Sequence, residues 1–212
     1  LHMDPYWSNQ PGVQVKGEND ISAFSMDRFK KYLDEVFVPM AKYANSKGMY
    51  VVMRPPGVCP EDIYVGDKYQ KYLLDVWSVV AQHKGLQNNP GIMFELANEP
   101  VRIVGRDGSS TLSRDEQFKD ITAYFQTIAD AMRAKGANNI LWIPGLGYQA
   151  EYRGFAKYPV TGDNIGYAVH LAAPELQEEP DTQEERLQTT RPARQHRLPL
   201  PNLPYRHTIP MY

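Results

Sequence analysis

Four short β-branched or aromatic runs, set apart by long amphipathic stretches, constrain the fold of this chain more than any other feature in it. The runs cover residues 49–54, 91–97, 139–144 and 165–170. In residues 26–46, 67–87 and 115–135, apolar side chains recur at spacings of three and four, which predicts helices that each bury one face. In the first of these, Phe29, Leu33, Val36, Phe37, Met40 and Tyr43 form the apolar stripe, and Gly48 follows as a stop. Strand and helix in alternation predict parallel strands joined by helical crossovers. Trp77, on a helix, and Trp142, on a strand, are expected in the core.

The pattern ends near residue 174. Residues 175–212 hold six prolines, five arginines and six acids without a sustained apolar period. Proline at 199, 201, 204 and 210 blocks helix and interior strand alike, so an irregular tail is expected there. Other readings of it are a basic arm around residues 191–197 and an appended foreign or frame-shifted sequence. Residues 1–19 are expected as an N-terminal arm and 20–174 as the folded domain. Leu1-His2-Met3 has neither the charged region nor the apolar segment of a signal peptide, and reads as an expression scar ahead of an internal fragment.

Composition removes several function classes. Lys and Arg number 23 against 25 Asp and Glu, a net charge of −2, so there is no positive field to hold nucleic acid. No window reaches the roughly 18 apolar residues of a membrane span. Cys59 is the single cysteine, which excludes an intrachain disulfide and any paired-cysteine metal site. The histidines at 2, 83, 170, 196 and 207 lack short paired spacing, so neither a metal nor a cofactor is expected.

The chemistry is expected at strand ends, because in parallel α/β sheets the carboxyl ends of the strands face the ligand crevice. Phe94-Glu95-Leu96-Ala97-Asn98-Glu99-Pro100 is a strand that delivers Asn98 and Glu99 there and stops at a proline. Glu95 shares their strand, but four extended residues span ~13 Å, so it is expected as a buried, hydrogen-bonded structural acid. Arg54 ends the first run before Pro55-Pro56-Gly57, and His170 ends the last. Tyr64, Tyr148, Tyr152 and Trp7 fall in or near expected loops, where flat rings could stack on sugar faces. Gly145-Leu146-Gly147-Tyr148-Gln149-Ala150 has the glycine spacing of a dinucleotide turn, with Asp163 downstream. That fingerprint needs a long helix behind it, and Gly154 and Pro159 interrupt the segment.

Taken together, these segments resemble glycoside hydrolase family 5, the cellulase family, over roughly residues 20–171. The resemblance rests on Tyr50-Val51-Val52-Met53-Arg54-Pro55-Pro56-Gly57, on the run from Asn89 through Asn98-Glu99-Pro100, on Asn139-Ile140-Leu141-Trp142-Ile143-Pro144-Gly145 and on Gly166-Tyr167-Ala168-Val169-His170. It implies an α/β fold that is part of a (β/α)8 TIM barrel, about strands three to six with their helices. It also implies retaining hydrolysis of β-1,4-linked glucan, with Glu99 as general acid/base, Asn98 on the sugar 2-hydroxyl, and His170 lining the site. Arg54 and Tyr148 join them as substrate-binding candidates. The family usually places a tyrosine two residues after that histidine; here position 172 is Ala172.

The seventh-strand glutamate nucleophile is not identified, since Glu175, Glu178, Glu179, Glu184 and Glu185 sit at no recognisable strand end. A β-glucan polysaccharide is the implied substrate and an extracellular site of action is implied with it, because an insoluble polymer cannot enter a cell. Four strands without closure leave two open edges, from which a homodimer is expected. A non-catalytic glucan-binding half-barrel is the alternative, and a nucleotide-binding fragment using residues 145–150 is a third.

Overall fold

The computed structural model describes residues 1–108 and 112–171. The tail expected over residues 175–212 lies outside them.

The two long crossover helices start where a side chain caps them. Asp67 accepts from the Gln70 amide at the start of α4 (Lys68–Gln82), and Ser113 and Glu116 form a reciprocal capping box on α5 (Arg114–Ala134). Ahead of them, α1 (Pro5–Ser8) is capped by Asp4, and α2 (Met26–Tyr32) by Ser25. The first long helix, expected as one regular element, passes through a π-helical turn at Leu33–Phe37 before continuing as α3 (Val38–Ser46). Pro39 stands at the start of α3; its ring cannot accept an ordinary α-turn behind it, and the wider turn makes room. The inserted turn also slips the apolar period. Phe29, Leu33 and Phe37 are buried as expected, but Val38 and Ala41 continue the buried face, and Met40 and Tyr43 are 51% and 66% exposed.

Between the helices lie β1 (Val51–Met53), β3 (Ile92–Glu95), β5 (Leu141–Pro144) and β6 (Ile165–Ala168), side by side in that order and all parallel. A second, two-stranded parallel pair, β2 (Asp62–Ile63) and β4 (Arg102–Ile103), ties together the loops that follow β1 and β3. Four successive strands with helices as crossovers are part of a (β/α)8 barrel. The N-terminal residues, expected as an arm, run beside β1. The Leu1 carbonyl accepts from the Arg54 amide, the Met3 amide donates to the Arg54 carbonyl, and His2 bridges Arg54 in parallel. Met3 is fully buried.

The core is the layer between sheet and helices. Val51, Met53, Ile92, Phe94, Leu141 and Ile143 point into it against Trp77, Val80, Phe125 and Ile128. Trp77 is buried as expected; its ring packs 5.5 Å from that of Phe94, and its indole N–H donates to the Leu96 carbonyl at 2.9 Å. Trp142 is different. It pairs with Glu95 and Gly166 on the opposite, concave face of the sheet, half-buried, with its indole N–H on the Met93 sulfur at 3.2 Å. The period of two decides this: Trp142 alternates with Leu141 and Ile143, which hold the core side.

Candidate active site

Along the concave face, the same alternation carries Arg54 after β1, Glu95 at the end of β3 and His170 after β6 to the carboxyl end of the sheet. Asn98 and Glu99 follow β3 after Leu96 and Ala97. Four of the expected residues, Arg54, Asn98, Glu99 and His170, thus come together in two contacts. The Arg54 guanidinium donates to the Asn98 side-chain carbonyl. The Glu99 carboxylate lies 3.0 Å from His170 Nδ1. Because arginine only donates, Asn98 must face it with Oδ1, which leaves the Nδ2 donors for the crevice. The Asn98 main chain is fixed as well, its carbonyl accepting from the Cys59 amide at 2.9 Å.

Glu95 belongs to the site too, which sequence spacing did not disclose. It is buried and accepts from Gln149 Nε2 at 3.1 Å, as a structural acid would, but its Oε1 also lies 3.3 Å from His170 Nε2. The strand ends at Glu95, and the chain turns through a left-handed residue at Glu99 (φ 53°). The ~13 Å of a fully extended run therefore does not apply, and one imidazole reaches both carboxylates. One imidazole thus has a carboxylate beside each ring nitrogen, a grouping of titratable side chains at the crevice edge of the kind general acid/base chemistry uses.

Tyr148 stands next to this trio, 63% exposed, with its amide donating to the Pro100 carbonyl at 3.0 Å. Tyr64 and Tyr152 are partly exposed on other loops, and Trp7 packs against Tyr32, with ring centroids 4.9 Å apart. The glycine-spaced segment after β5 is no dinucleotide turn. Leu146–Gln149 is a single turn with left-handed residues inside it, so no helix N-terminus is aimed at a phosphate. Gly145 is required there because a Cβ would lie 2.1 Å from the Glu151 carbonyl oxygen. Among the described residues, no group of three or more His, Cys, Asp or Glu side chains could hold a metal, and no helix is long and apolar enough to cross a membrane.

The model of the cellulase family, glycosyl hydrolase family 5, matches residues 8–194. The chain belongs to that family. Among solved structures, a family 5 lichenase from Caldicellulosiruptor sp. F32 superposes with a TM-score of 0.54 at 20% identity, covering 88% of this chain and 54% of the other. A β-glucanase from Saccharophagus degradans, in complex with cellotetraose, gives 0.51 at 20% identity over 74% of this chain and 46% of its own. The chain thus spans about half the length of the barrels it matches. No curated protein sequence matches it significantly. The family match opens at Ser8 and extends beyond His170, a wider stretch than the motifs that suggested it.

Proposed function

We propose that this family 5 chain carries the acid/base half of a retaining β-1,4-glucanase site. The single observation that supports this most strongly is the contact of Glu99 with His170 beside an Asn98 held by Arg54. Glu99 protonates the glycosidic oxygen of the leaving sugar and then, as a base, activates the water that releases the glycosyl-enzyme. Asn98 donates from Nδ2 to the 2-hydroxyl of the sugar being cleaved, a bond that strengthens as the ring flattens toward the oxocarbenium ion. Arg54 sets the Asn98 amide, His170 holds the Glu99 carboxylate, and Tyr148 offers an aromatic face to a neighbouring sugar. The second carboxylate, which forms the glycosyl-enzyme, is assigned to none of the described residues; the acids between Glu175 and Glu185 lie outside them. Action on an extended β-glucan places the protein outside the cell.

Reducing-sugar release from carboxymethyl cellulose, measured beside a Glu99→Gln variant, tests this reading. Hydrolysis by the native chain and a loss of about 10²- to 10⁴-fold in the variant, the usual worth of a general acid, is the expected result. No release by a chain folded by circular dichroism, together with cellotetraose binding in calorimetry, would replace it with the glucan-binding reading.

A further inference from the structure

Gln149 makes more bonds to the site than a loop glutamine needs for its own sake. It is 0% exposed, and its polar groups are committed to three site residues. Oε1 accepts from the Glu99 amide at 2.8 Å, Nε2 donates to Glu95 Oε1 at 3.1 Å, and the main-chain carbonyl accepts from the His170 amide at 3.0 Å. The flanking residues grip the same strand end, Tyr148 N–H on the Pro100 carbonyl and Gly147 N–H on that of Val101, each at 3.0 Å. To reach these partners the chain runs left-handed through Gly147, Tyr148 and Gln149, with φ of 58°, 57° and 61°. Two of the three carry side chains that rarely adopt that conformation. Strain of this kind persists only where the surroundings enforce it, and it gathers at functional sites. A pair of backbone bonds between Leu146 and Glu151 closes the turn at its base and enforces it.

We propose that Gln149 is the positioning residue of the Glu95–His170–Glu99 trio, an inference that rests on reading Glu99 as the acid/base. Its amide is the one side-chain group that fits both neighbours at once, an acceptor toward an N–H and a donor toward a carboxylate. Through Oε1 it holds the left-handed backbone of Glu99, and through Nε2 and its carbonyl it sets Glu95 and His170 so that one imidazole spans both acids.

Gln149→Glu keeps the acceptor toward Glu99 but sets a second carboxylate against Glu95; Gln149→Met removes both bonds at similar volume. The imidazole ¹⁵N–¹H spectrum of the full chain, with His170 assigned by its loss in His170→Ala, is the readout that a merely structural role would not move. The His170 resonances are expected to shift in both variants while the far-UV circular dichroism stays native. Where hydrolysis is measured, kcat falls about tenfold or more with KM little changed. Superimposable His170 resonances in a folded Gln149→Glu or Gln149→Met protein overturn the proposal. So does a Glu99 amide that exchanges in the native chain at the rate of a free peptide, whether or not the variants fold. If the native chain releases no sugar, the glucanase reading fails, and the His170 resonances still decide the role of Gln149.

Discussion

At the scale of single residues, the molecule depends on polar side chains that fix another polar group in place. Arg54 is one. Removing its guanidinium takes away a charged donor worth about 1.5–3 kcal/mol and frees the Asn98 amide to turn. Arg54→Ala is therefore expected to weaken cellotetraose binding by calorimetry about 10- to 100-fold without loss of secondary structure. Asp67 is another: it caps α4 and accepts from the buried Tyr124 hydroxyl at 3.1 Å and from the Tyr64 amide at 3.0 Å. Asp67→Ala loses a cap worth ~1 kcal/mol and leaves a buried hydroxyl unpaired at about 1–3 kcal/mol. A loss of roughly 2–4 kcal/mol in urea unfolding is the expected outcome. Arg54, Asn98, Glu99 and His170 were all legible as polar ends of apolar runs. Glu95 was legible as a buried acid but not as a neighbour of His170, because that contact depends on β3 and β6 ending at the same end of the sheet. Gln149 gave no signal at all. A glutamine in a loop has no periodicity, and its importance comes from partners 50 and 54 residues away in sequence.

At the scale of elements, capping and steric punctuation locate the boundaries. Ser113→Ala breaks the capping box of the longest helix and is expected to cost ~1 kcal/mol, read from the denaturation midpoint at an unchanged slope. Gly145→Ala meets a carbonyl oxygen rather than a flexible side chain, so the backbone must move. Overpacking of that kind costs about 1–3 kcal/mol, and a lowered thermal midpoint checks it. Of the two glycines whose spacing imitates a nucleotide turn, Gly145 is accounted for by close backbone approach and Gly147 by its left-handed φ of 58°. The three long helices and four main strands were legible because their apolar periods are long and distinct. The slip between Phe37 and Val38 was not, since a π turn leaves a regular-looking spacing in the sequence and shows itself only when the buried face is followed across it. Trp142 was misassigned for a similar reason: alternation says that two faces differ, not which of them a helix covers.

At the scale of the whole described unit, the concave face of the sheet decides the behaviour. Val52, Met93, Trp142 and Ala168 lie on it half-buried, whereas a closed barrel fills this space with layers of side chains. The outer edge of β6 pairs with no other strand among the described residues. The β6 edge and a partly apolar face are what the homodimer expected from sequence would use; concentration-dependent association in sedimentation velocity is the expected result, and a single monomeric species at all concentrations would count against it. The sequence by itself determined the parallel α/β class, the helices and strands, and the family-bearing Asn98-Glu99 strand end, since each is written in local periods and adjacent residues. Only the tertiary structure decided which face of the sheet the helices cover, that Leu1–Met3 joins its edge, and that Glu95 and Gln149 meet His170. Those outcomes depend on where distant backbone segments converge, and local physics does not encode the distance between residues that a crossover brings together.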